Sequence, residues 1–142
     1  MAPKPSTDLL ELYGTDATLA REGVWHTLAP GVCVCVARWN NPLFQRALED
    51  ELEERSDGLD EDEDRAVMAR VLAQTILTDW QGIVFEGEEL PYSPANAEKV
   101  LADPRMRDFR LEVTKRAQRA ERYRIKRLDD DRKNSSKRSG GS

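Results

Sequence analysis

Asn41-Pro42, Ser93-Pro94 and Asp103-Pro104 each set a short polar side chain directly before a proline. That pair is a helix start. The polar oxygen accepts a free N–H of the first turn, and the missing proline N–H costs nothing at the first helical position. Repeated along one chain, the signal commits most of the sequence after Asn41 to helices and fixes where they begin.

The stretches behind these signals carry apolar stripes at helical spacing. After Pro42 the stripe is Leu43, Phe44, Ala47, Leu48 and Leu52, fading near Arg55–Gly58. From Arg65 to Trp80 the residues RAVMARVLAQTILTDW give a wide apolar arc, expected as the central and most buried helix. Ile83, Val84 and Phe85 read as a short extended piece, and Glu86-Gly87-Glu88 as a turn. Pro91 biases Leu90 towards an extended conformation. Behind Pro94 come Ala97, Val100 and Leu101, with Tyr92 expected to staple onto Ala97. The last helix, opened by Pro104, keeps Met106, Phe109, Val113, Ala117, Ala120 and Tyr123 on one stripe. It is expected to run for about twenty residues, or roughly 30 Å.

Before Asn41 the pattern changes to period two. Val24–Leu28 and Val32–Trp39 flank Pro30-Gly31, a turn dipeptide, so a β-hairpin is expected over residues 22–39. Val32, Val34 and Val36 lie on one face, and Cys33 and Cys35 on the other. The fold class expected is mainly α with an N-terminal β-hairpin, an α+β chain whose helical part is a small bundle of about four helices. A single domain over residues 9–124 is expected, its helical part being 41–124 with an acidic loop at 56–64. Residues 1–8 read as a disordered N-terminus with at most a turn of helix after them, and 125–142 as a basic flexible tail.

The chemistry expected is that of binding. No Gly-rich phosphate loop, nucleophile elbow or Cys-x-x-Cys occurs, so no catalytic residue is assigned and the chain is read as no enzyme. Asp60, Asp62 and Asp64 suggest calcium, but the turn glycine and the closing bidentate glutamate are missing. Cys33, Cys35 and the single histidine, His26, fall short of a metal ligand set, so neither metal nor cofactor is expected. His26 is read as structural or surface-exposed. No apolar run reaches membrane-spanning length.

Charge is strongly divided. The formal net charge is −5, yet residues 104–142 hold 14 Lys or Arg against 6 Asp or Glu, and residues 1–103 hold 8 against 21. A basic last helix on an acidic body suits an acidic or helical protein partner, with Arg110, Lys115, Arg119 and Arg122 as candidate contact residues. The same acidic body disfavours nucleic acid, and no aromatic platform interleaves with the arginines.

The order of motifs adds a resemblance. Asn41-Pro42 opens a helix; Trp80-x-Gly82 follows, then Pro91-Tyr92-Ser93-Pro94, then Leu101-x-Asp103-Pro104 ahead of Phe109. Over roughly Val24–Tyr123 this set resembles the tail assembly chaperones of long-tailed bacteriophages. The resemblance implies a non-enzymatic protein of the infected host cytoplasm. Its partners would be the helical tape-measure protein and the tail-tube protein. The competing expectations are a minor tail or head–tail connector protein of the virion and, more weakly, a nucleic-acid-binding module.

Overall fold

A computed structural model describes residues 8–54 and 60–125. The elements run α1 (Leu9–Tyr13), α2 (Ala17–Glu22), β1 (Val24–Ala29), β2 (Val32–Val36), α3 (Pro42–Glu53) and α4 (Glu61–Thr75). They continue with β3 (Leu77–Gln81), β4 (Val84–Phe85), β5 (Glu88–Glu89), α5 (Pro94–Ala102) and α6 (Arg107–Ala117), with 3-10 turns at Pro104–Met106 and Ala120–Tyr123. The class is mixed α+β, helices on a small antiparallel sheet of order β1-β2-β3.

The proline-headed starts behave as their chemistry dictates. Asn41 Oδ1 accepts from Phe44 N–H at 3.0 Å, and Ser93 Oγ from Asn96 N–H at 3.0 Å. Asp103 caps a 3-10 turn, which then leads into α6. Part of the expected acidic loop is helix: Asp60 caps α4, and Glu61–Asp64 form its first turn, where carboxylates favour the helix dipole. Residues 55–59 of that expected loop, like the expected N-terminal arm before Asp8 and the tail after Ile125, lie outside the described residues.

The expected four-helix bundle beside a two-stranded hairpin needs correction, since the described residues form six helices and a three-stranded sheet, and so do two expected helix ends. The helix expected from Arg65 to Trp80 ends at Thr75, and Leu77–Gln81 is a strand instead. The reason lies in its last carbonyls. Thr75 O accepts from Asn41 Nδ2 at 3.2 Å, Ile76 O from Ala37 N–H at 2.7 Å, and Leu77 O from the Tyr92 hydroxyl at 2.8 Å. A further helical turn would need those acceptors for the N–H groups of residues 79 to 81. The hairpin therefore gains a third strand, with Val34 opposite Trp80 and Val36 opposite Leu77. The long last helix is also interrupted. Ala117 O accepts from Trp39 N–H at 2.9 Å and from Arg38 at 3.1 Å, and the chain continues as a strap over residues 118–125. Finally, α2 was not expected, although Asp16 caps it and Gly23 closes it.

The core lies between the valine face of the sheet and α4, α5 and α6, around Leu72, Ile76, Leu77, Leu101 and Val113. Tyr92 does not simply staple its own helix. Its ring stands edge-on to Trp80 at 5.3 Å while its hydroxyl closes the β3 edge. On the opposite face of the sheet, Cys35 is buried with its thiol 3.6 Å from Glu22 O in α2, and burial raises its pKa. Cys33 is half-buried.

Candidate protein-binding surface

The four candidate arginine and lysine residues do not form one uniform face. Arg110 is half-buried and structural. Its guanidinium donates to Leu101 O at 2.7 Å and Asp103 O at 3.0 Å, satisfying carbonyls at the end of α5. Burial lowers its pKa, with Arg65 and Arg107 nearby. It is thus removed from the contact surface expected from the sequence. Lys115 is exposed on the outer side of α6. Leu111, one turn before it and 53% exposed, is the apolar centre of that side, with Arg107 beyond. Arg119 is half-buried at the head of the strap. Arg122 is exposed, and its guanidinium donates to Trp25 O at 2.9 Å on the β1 edge.

That bond has a second consequence. A free sheet edge invites pairing with another chain. At β1, Arg122 occupies one edge carbonyl. At β3 the Asp79 carboxylate takes Trp80 N–H at 2.8 Å, and Tyr92 takes Leu77 O. The side chains of Arg122 on one side and of Asp79 and Tyr92 on the other thus cover both edges in part.

The strap itself is tied to the N-terminal segment. Tyr123 is fully buried, and its hydroxyl donates to Val36 O at 2.7 Å. Its own carbonyl accepts from Asp16 N–H at 2.7 Å, and Ile125 N–H donates to Gly14 O at 2.9 Å. Burial pushes the Tyr123 phenol up to about 12. Under this segment lies His26, 2% exposed, with neither ring nitrogen bonded among the described residues. Burial first, and then the charges of Arg122, Arg116 and Arg119, push its pKa down to about 4, against a smaller opposing pull from Glu112. The ring is therefore neutral at pH 7. Arg116 is itself held by Glu112 at 2.7 Å.

The arrangement offers cations and an exposed leucine on one side of α6, which is the chemistry of a docking face. Among the described residues no group of three His, Cys, Asp or Glu side chains is placed to hold a metal. No helix is long and apolar enough to cross a membrane.

The family model described as the YdaY prophage protein matches residues 39–134. The chain belongs to the YdaY prophage protein family. It is therefore phage-derived, and the matched span opens just after β2 and takes in α3 through α6 and the strap. The YdaY match thus includes β3 but not the strand it pairs with. No curated protein and no solved structure matches the chain.

Proposed function

We propose that this phage protein is a non-catalytic tail assembly chaperone that binds the tape-measure protein and assists assembly of the tail tube. The observation that carries the reading is the outer side of α6. Leu111 is exposed there between Arg107 and Lys115, while Arg119 and Arg122 follow on the strap, the first half-buried and the second bonded to Trp25 O. A long helical partner exposes apolar stripes before a tube encloses it. A strip with an apolar centre and a charged rim covers such a stripe through contacts of modest individual strength, which arriving subunits displace one after another. Membership of a prophage family agrees with the setting. The ordered set Asn41-Pro42, Trp80-x-Gly82, Ser93-Pro94 and Asp103-Pro104 carries the resemblance to the chaperones. The site of action on this reading is the cytoplasm of the infected host.

The test is co-expression with the long helical reading frame expected beside this gene. Soluble tape-measure fragment with the protein, and insoluble fragment without it, is the expected result. Leu111→Glu with Lys115→Glu should abolish the rescue, because both lie on the exposed side of α6. Fragment that stays insoluble in the presence of the protein overturns the reading. Stoichiometric recovery of the chain from purified virions would point instead to a minor tail or connector protein.

A further inference from the structure

The chain holds three each of Trp, Tyr and Phe, and all but two of these rings are buried or half-buried. The two exposed rings are Trp25, at 40%, and Tyr13, at 70%. Both meet an arginine of the strap. Arg122 donates to Trp25 O at 2.9 Å, and the Arg124 guanidinium lies over the Tyr13 ring at 6.0 Å. Only Tyr123, which is buried, stands between these two arginines, so the two ring–arginine pairs are neighbours along the strap.

Charge gathers at the same place. The charges of Arg122, Arg116 and Arg119 all bear on His26, which lies beneath the strap with both ring nitrogens unbonded among the described residues. Arg116 is offset by Glu112, but within the strap Arg119, Arg122 and Arg124 face a single acid, Glu121. Asp16, which runs beside the strap, has its carboxylate engaged by the first turn of α2. The bond to Trp25 O uses one of the five N–H donors of Arg122, and the rest of the fork is left for another acceptor.

Along the sequence the arginines of the last helix lack an aromatic platform. The fold supplies one, since Trp25 reaches Arg122 from 97 positions away. Rings beside guanidinium groups suit unpaired nucleobases, whose faces stack on the rings while the phosphates between them take the arginines. A duplex keeps its base faces in its own stack, so it offers phosphates to the arginines and nothing to the rings. We propose that the strap and the β1 edge form a binding site for single-stranded nucleic acid. Trp25 and Tyr13 are its stacking surfaces, and Arg119, Arg122 and Arg124 its phosphate partners. The body before Pro104, with 8 Lys or Arg against 21 Asp or Glu, repels a long polyanion, which keeps the contact short and sensitive to salt. The site shares Arg119 and Arg122 with the strip assigned to the tape-measure protein, but neither ring belongs to that strip.

The test follows a fluorescein-labelled oligothymidylate by anisotropy as the full chain is added, at salt from about 50 to 200 mM. Binding should weaken with a slope of about −2 in log affinity against log salt, as three phosphate contacts on a single strand require. It should also quench tryptophan fluorescence, because Trp25 is the exposed one of the three tryptophans. Trp25→Ala should weaken binding about tenfold and remove the quench, and Trp25→Phe should restore most of the affinity. Arg122→Ala should flatten the slope by about 0.7. Tyr13→Ala should weaken binding as well, and its exposed position keeps the stacking claim testable if Trp25→Ala does not fold. Trp25→Ala should still keep a tape-measure fragment soluble, so the two readings fail separately. No anisotropy change overturns the proposal, and so does full affinity in both ring-to-alanine variants. Equal affinity for a duplex of the same length overturns it too, since the rings would then have no part. Equal competition by polyglutamate does the same, and would make the site one for acidic polypeptides.

Discussion

His26 and Trp80 occupy the same row across the inner face of the sheet, one on each side of Val34. Both rings are buried, yet their neighbours treat them in opposite ways. The indole N–H of Trp80 donates to Leu90 O at 2.8 Å, and Tyr92 packs against its ring. The imidazole of His26 has two unbonded nitrogens and three arginines nearby. On the β3 side, geometry satisfies each polar atom of the aromatic pair. On the β1 side the cover is a strap held by its own backbone and by the Tyr123 and Arg122 side chains, none of which reaches the imidazole, and the ring beneath it tolerates burial only while uncharged. The two ends of one row should therefore fail under different stresses, the first by loss of volume and the second by acid.

The largest effect should come from the well-satisfied end. Trp80→Ala removes a buried ring and leaves Leu90 O without its donor, so urea unfolding should show a loss of about 4 kcal/mol. A loss near that expected for a surface residue would mean the two ends are equally loose. Next is acid. The folded pKa of His26, about 4, lies below the ordinary 6.5. Below pH 6.5 the unfolded chain takes up a proton that the folded chain refuses. Stability attributable to this ring is thus whole above pH 6.5, falls as the pH drops towards about 4, and levels off below. The total is at most about 3 kcal/mol. In His26→Leu this part of the pH dependence should vanish, while the carboxylate part at lower pH remains.

A smaller effect is expected in the strap. Tyr123→Phe keeps the ring but leaves Val36 O unpaired, and should cost about 1–2 kcal/mol. It should also speed hydrogen exchange at Asp16 and Ile125, the amides that tie the strap down, more than at Trp80. Uniform acceleration would show that strap and core open together. Smallest is the contrast within the basic face. Arg110→Ala should lower stability by about 1 kcal/mol through the freed carbonyls at the end of α5, whereas Lys115→Ala should leave the melting temperature unchanged.

Helix starts were legible because their chemistry is local. As caps, the side-chain oxygens of Asn41, Ser93 and Asp103 each reach an N–H within three residues. Helix ends were not legible, because distant groups set them. What stops α4 at Thr75 is Asn41, Ala37 and Tyr92, none of them near it in sequence. What stops α6 is Arg38 and Trp39. The apolar arc ending in Ile76, Leu77 and Trp80 has helical spacing, and it serves a strand only because a bulge between Leu77 and Asp79 brings Leu77 and Trp80 onto one face, opposite the valine strand forty residues upstream. The candidate surface shows the same division. Basicity along the last helix was visible, but the diversion of Arg110 into the end of α5 depends on how two helices meet. α2 is different: Asp16 before ATLARE and Gly23 after it were a readable local signal. The exposed side chains of α1 had no sequence signal beyond a short leucine run, since exposure is a property of what fails to pack.

Gly82, directly after β3, lies against the turn that joins β1 to β2. A methyl group on it would sit 1.9 Å from the Gly31 carbonyl oxygen, and its φ of +71° lies in the region that favours glycine. Turn tips of hairpins are usually where a chain accepts foreign sequence without complaint. Here the tip at Pro30-Gly31 is wedged by a neighbour fifty residues downstream. A peptide tag or fluorescent label grafted into it would therefore prise apart the end of the sheet, because the Gly31 carbonyl has no room to move past Gly82.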